Sequence, residues 1–232
     1  MGAADWDIIT GGSADVGHHE ALHTAVPMAI PLSTGFPGVV KCRRIDNDNA
    51  TEFGRMLFRY NREPTNFTVF KDASVRGYFA FGTNNNGTHV GIGCRMDTAV
   101  PSTVASAPGL FENGYYLEGY YDFVAGNIMA KLVRFLSGVG TDLWSLALPV
   151  APGFYLWFGG RIDFLWQSDG TAILKVFTAD PNAPEWLEQT SVVETPGVIP
   201  PYDGIGWGAQ IEGGGAEFVN EAYVDLVEVY HG

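Results

Sequence analysis

The feature that most constrains the fold is the stretch GFYLWFGGRIDFLWQSDGTAILKVFTAD, residues 153–180. Two runs rich in aromatic and branched apolar residues flank Ser168-Asp169-Gly170. An Asp-Gly pair accepts the positive φ of a tight turn, so the two runs read as an antiparallel hairpin. The same grammar recurs along the chain. VVKCRRI, FGRMLFRYN, NFTVFK, VRGYFAFG, THVGIGCRMD, GYYLEGYYDFV, TDLWSLALPV, IGWGAQIEGGG and AEFVNEAYVDLVEVYHG all read as short strands. NNNG, residues 84–87, reads as a four-residue loop joining VRGYFAFG to THVGIGCRMD in a second hairpin. NIMAKLVRFLSG places Ile128, Leu132 and Phe135 on one stripe of a short helix, yet its Gly borders and β-rich neighbours favour a strand.

About a dozen short strands with almost no helix indicate an all-β sandwich or barrel. Apolar and charged residues alternate along most runs, as expected of antiparallel strands with one buried and one wet face. At 232 residues the chain suits a single domain of this kind. Residues 1–37 differ from the rest: they hold three of the five His and few alternating runs. They read as an extended N-terminal arm, and residues 38–232 as an antiparallel jelly-roll β-sandwich. The Pro residues of TAVPMAIPLSTGFPG favour extended backbone there.

The formal charge of −13 repels phosphate backbones and anionic lipid, which argues against nucleic acid or membrane surface as partners. No apolar run reaches the roughly 18 residues of a membrane helix. MGAADWDIITGG has no basic and apolar leader pattern, so no signal peptide is expected. Cys42 and Cys94 can pair only if the fold brings their Cα atoms within about 7 Å; free, buried thiols are the simpler expectation.

Phe154 to Trp186 continues the hairpin into TADPNAPEW: a strand with an Arg, a Gly turn, a second strand, then a Pro-rich loop closing on P-E-W. This resembles concanavalin A-like (laminin G-like) jelly-roll domains, in particular versions in structural proteins of tailed bacteriophages and in bacterial surface proteins. The closing YDGIGWGAQIEGGGAEFVNEAYVDLVEVY is similar to the Gly-rich penultimate and V-D-x-V-x-V-like final strands of such domains. The resemblance spans residues 50–232. It implies a non-enzymatic structural or adhesive virion protein, with other virion subunits or further copies of itself as partners. A secreted carbohydrate-binding or glycan-cleaving module is the alternative. Trp186 either plugs the end of the sandwich or offers a platform for a sugar ring.

Glycan binding needs aromatic platforms beside groups that hydrogen-bond hydroxyls. Candidates are Tyr115, Tyr116, Tyr120 and Tyr121 in GYYLEGYY, with Trp144, Trp207 and the Asn84–Asn86 turn; Tyr115, Tyr120, Trp144, Trp207 and Asn85 form the expected ligand set. Calcium would need several clustered oxygens. IDNDNATE, residues 45–52, is the richest cluster but lacks EF-hand spacing. Glycan cleavage with retention needs two carboxylates about 5 Å apart. Glu221 and Asp225 would share a strand face while Glu228 points away. The E-x-D-x-x-E type of motif is missing.

His19, Glu20 and His23 spell H-E-x-x-H, which on a helix binds zinc through both His and uses the Glu as base. Between Gly17 and Pro27 there is room for barely two turns, and no third ligand sits at a signature spacing. His19 and His23 therefore read first as a polar contact segment, with metal binding by them and a zinc protease as remote alternatives.

Overall fold

A computed structural model describes residues 6–12, 19–24, 39–44, 53–60, 72–81, 89–96, 113–122, 124–148, 156–180, 183–202, 204–212 and 221–231. Within these, side chains are described for 72–80, 89–96, 113–122, 124–148, 158–180, 185–202, 204–209, 224 and 227–230. In chain order the strands are β1 (Trp6–Gly12), β2 (His19–Thr24), β3 (Val39–Arg44), β4 (Phe53–Tyr60), β5 (Ala73–Phe81), β6 (His89–Met96) and β7 (Gly114–Asp122). They continue with β8 (Asn127–Leu136), β9 (Val139–Leu148), β10 (Leu156–Trp166), β11 (Ala172–Asp180), β12 (Ala183–Glu194), β13 (Gly204–Glu212) and β14 (Glu221–His231).

Among the described residues the strands form two seven-stranded sheets. Sheet A runs β1-β4-β13-β6-β7-β8-β9 and sheet B runs β12-β11-β10-β5-β14-β3-β2. Every pairing is antiparallel. Strand parity builds the core between them. Ile92, Tyr115, Leu117, Leu132 and Trp207 point inward from sheet A; Val75, Phe79, Ile162, Phe164 and Leu174 point inward from sheet B. The tilted rings of Phe79 and Phe158, 5.5 Å apart, join neighbouring strands of sheet B.

Local chemistry sets the hairpins. The β10–β11 turn falls at Ser168-Asp169-Gly170 as expected, with Asp169 Oδ1 accepting from Thr171 N and Oγ1 at 2.9 and 2.7 Å. The β8–β9 turn is the pair Ser137-Gly138, both at positive φ (51° and 77°), which is the backbone of a type I′ hairpin. Leu136 and Val139 pair directly across it, and NIMAKLVRFLSG is a strand throughout its Asn127–Leu136 part. Gly119 serves packing. A Cβ there would sit 2.1 Å from Cζ of Phe158, so only Gly lets that ring of sheet B reach the β7 backbone.

Three expectations are corrected. First, residues 6–12 and 19–24 do not stand apart from the sandwich. They pair as outer strands, β1 with β4 in sheet A and β2 with β3 in sheet B. Second, HEALH lies in β2, an extended strand. Residues four apart on a strand are about 13 Å apart, against about 6 Å on a helix, so the helical zinc-protease geometry is lost. Third, β5 and β6 do not form a hairpin across NNNG. β5 pairs with β10 and β14, while β6 pairs with β13 and β7 in the other sheet. Crossing between layers sets the inward rows of the two strands, Val75 and Phe79 of β5 and Val90 and Ile92 of β6, on opposite sides of one core.

P-E-W also belongs to a strand, β12, rather than closing a loop. The final strand β14 carries a register shift between Asp225 and Glu228. Cys94 is a free, buried thiol on β6, whereas Cys42 sits on β3 in the opposite sheet. The calcium candidate at 45–52, the loop containing Asn85 and the run NFTVFK lie outside the described residues.

Candidate functional site

The outer face of sheet A follows from parity along β6, β7 and β8. Tyr115, Leu117 and Tyr121 face the core, so Tyr116, Glu118 and Tyr120 face outward. Register then assembles one polar group from distant parts of the chain. His89 on β6 lies opposite Tyr120 on β7, and Glu118 lies opposite Lys131 on β8. The imidazole of His89 stacks on the ring of Tyr120, with centroids 4.9 Å apart and planes 28° apart. His89 Nδ1 lies 3.3 Å from Glu118 Oε2, and Lys131 Nζ lies 3.1 Å from Asp142 Oδ2 on β9. The Lys131 ammonium is also 5.5 Å from the Tyr120 centroid, within cation–π range. Burial works against the Lys131 charge, but the Asp142 carboxylate and then Tyr120 outweigh it and raise the Lys131 pKa above the usual lysine value.

All of these side chains are partly exposed: His89 by 20%, Glu118 by 16% and Lys131 by 26%. That degree of shielding suits a recognition surface. Solvent reaches the polar atoms, yet neighbours hold each rotamer.

The other end of this face is closed. Tyr116, Met96, Val133 and Phe135 form a second, smaller core on the outer side of sheet A. Tyr116 reaches across β6 and donates from its hydroxyl to the carbonyl of Gly208 on β13 at 2.9 Å. The rows beneath it are side-chain free: Gly93 lies opposite Gly206, and Gly91 opposite Gly208. The polar group around Tyr120 borders this closed patch.

The expected ligand residues therefore separate. Tyr120 lies in the outward polar group. Tyr115 and Trp207 do not: both are core residues, 0% and 1% exposed. The parity of GYYLEGYY already carries this distinction, because positions 115 and 120 differ by an odd number and fall on opposite faces. Trp144 is half-buried and packs against the core from β9. His89, Glu118, Lys131 and Asp142 escaped the sequence reading because only cross-strand register joins them to Tyr120.

The outer face of sheet B is also charged and aromatic, but closed on itself. Arg161 forks onto Asp163, with Nε to Oδ1 at 2.8 Å, and Ser74 donates to the same oxygen at 2.6 Å. Arg76 pairs with Glu228 at 2.6 Å and Lys175 with Glu188 at 3.2 Å. Trp186 is half-buried there against Tyr78, with centroids 5.5 Å apart; it lies on the sheet and does not plug an end of the sandwich. Glu228, weighed in the sequence as a glycosidase acid, is thus the partner of Arg76.

Among the described residues, no group of three or more His, Cys, Asp or Glu is placed to hold a metal ion, and no helix is long and apolar enough to cross a membrane.

With that geometry in hand, comparison with solved structures defines the architecture. It is a jelly-roll β-sandwich. A protein of unknown function from Shewanella oneidensis MR-1 superposes with a TM-score of 0.57 at 14% identity, over 99% of this chain and 79% of that one. The carbohydrate recognition domain of Emp47p gives 0.51 at 11% identity, over 93% and 89%. A xylan β-1,4-xylosidase from Bacillus halodurans C-125 gives 0.53 at 12% identity over 84% of this chain, which spans only 33% of that enzyme. No family model matches the sequence, and no curated protein matches it. At such identities the likeness speaks for the fold, and function has to be argued from the site.

Proposed function

We propose that this chain is a non-catalytic carbohydrate-binding module that holds a glycan on the outer face of sheet A, around Tyr120. The observation that carries this reading is the group His89, Glu118, Tyr120 and Lys131. A sugar presents an apolar C–H face and a rim of hydroxyls. The Tyr120 ring beside an imidazole, a carboxylate and an ammonium offers apolar contact, acceptors and donors within one patch. Glu118 faces the His89 imidazole and Asp142 the Lys131 ammonium, an arrangement that suits orienting sugar hydroxyls. The likeness in fold to a carbohydrate recognition domain agrees with this assignment.

A glycan array probed with the full chain tests it, followed by calorimetric titration of the best ligand. Binding is expected, and Tyr120→Ala should weaken it at least about tenfold, a loss of about 1.4 kcal/mol. Absence of any bound glycan, or equal affinity in Tyr120→Ala, removes the proposal. Display of the module in many copies on a virion rests on the sequence resemblance. Antibody labelling of purified particles tests that placement against an extracellular, secreted one, and unlabelled particles exclude it.

A further inference from the structure

The outer face of sheet B carries a different combination from that of sheet A. Every described ionic group facing outward on β10, β11, β5 and the end of β14 is already matched. Arg161 meets Asp163, Arg76 meets Glu228, and Lys175 meets Glu188. Three cations and three anions cancel, on a chain whose formal charge is −13. Around these pairs lie the aromatic groups. Arg161 lies 4.5 Å from the centroid of Phe177. Arg76 lies 5.0 Å from that of Tyr230 and 5.8 Å from that of Trp186, and it donates to the Tyr230 hydroxyl at 2.7 Å. Tyr230 is 45% exposed and Val193, opposite Ile173 on the same face, is 64% exposed.

We infer that this face is the contact surface between two copies of the chain. Copies that carry −13 each repel one another wherever their acidic surfaces meet. Around these three pairs on sheet B that repulsion is locally offset. Its charges also alternate, each cation beside an anion. A twofold axis through such a face sets cations of one copy against anions of the other, which is the self-complementarity an isologous contact needs. Arg, Trp, Tyr and Phe are the residue types enriched at the energetic centres of interfaces. The size fits as well. Five strands span about 24 Å and their residues about 30 Å, roughly 700 Å², near the ~800 Å² per partner of a standard interface. A dimer joined here leaves the Tyr120 surface facing outward on both copies, so the inference does not depend on glycan binding.

Sedimentation velocity of the full chain from about 1 to about 100 µM tests it. The expected result is a species of twice the 25.1 kDa monomer. Val193→Asp and Tyr230→Asp, made separately at exposed positions, should each shift the dissociation constant upward at least about tenfold with unchanged circular dichroism. Val139→Asp, on the exposed edge strand β9 away from this face, should leave it unchanged. A wild-type monomer at every concentration overturns the inference. So does a dimer that survives both sheet B substitutions, or one that only Val139→Asp disrupts.

Discussion

Arg134 on β8 and Glu194 on β12 form an ion pair across the two sheets, with Nη1 and Oε2 2.5 Å apart. Their side chains are 16% and 5% exposed, so the pair sits at the margin of the core and not on the wet surface. Tyr115 donates to the same carboxylate oxygen at 3.2 Å. One carboxylate thus joins β7, β8 and β12.

Removing one member leaves the other charge buried without its partner. Glu194→Gln is expected to destabilise the protein by about 3 kcal/mol or more. The double variant Arg134→Met/Glu194→Leu should recover most of that loss, because apolar replacements leave no stranded charge. Urea unfolding of the three proteins measures both.

Tyr115 and Tyr120 lie five residues apart, and their substitutions should separate cleanly. Tyr115→Phe removes a hydrogen bond to a charged group in the core and is expected to cost about 1.5–3 kcal/mol of stability without touching ligand affinity. Tyr120→Ala is expected to leave the unfolding midpoint nearly unchanged and to act on glycan binding. Thermal melts alongside titration calorimetry distinguish the two.

Gly119→Ala should destabilise by about 1–3 kcal/mol, the usual range for overpacking a core. The added Cβ meets the ring of Phe158 at 2.1 Å. Phe158→Leu in the same chain should restore part of the loss, and a double-mutant cycle in urea reads the coupling.

Stability should fall in alkali. Burial pushes the Cys94 thiol up from 9.0 to about 12, with Arg95 pulling weakly the other way. Burial and then the nearby Glu194 carboxylate push Tyr115 up as well. Both groups are neutral when protonated, and folding raises both pKa values. Their stabilising contribution is complete below the unfolded-state pKa and is lost as pH rises through the folded one. From about pH 9 upward the unfolding free energy should drop by about 1.4 kcal/mol per pH unit for the thiol, with Tyr115 adding to the slope above about pH 10. Cys94→Ala should flatten the curve between those two values. An equally steep curve in that variant contradicts the assignment.

Much of the sandwich is legible in the residues. Alternation along AILKVF marks a strand with one buried face, and Asp169-Gly170 marks a hairpin, because side-chain parity and turn backbone are local properties. Partner choice is not local. VRGYFAF and HVGIGCRM look like neighbours joined by NNNG, yet each buries its apolar row against the other layer. HEALH matches a helical motif residue for residue, yet pairing with β3 makes it a strand.

By itself, then, the sequence determined the class of the fold, the positions of most strands and the acidic character of the chain. Tertiary structure alone decided which strands share a sheet, which tyrosine of GYYLEGYY meets solvent beside a polar group, and which charges cancel on one face. The physical reason is that periodicity and turn chemistry act over a few residues. The group of His89, Tyr120 and Lys131, and the pair Arg76 and Glu228, arise from register between strands that are distant in the chain and that only burial of a common core brings side by side.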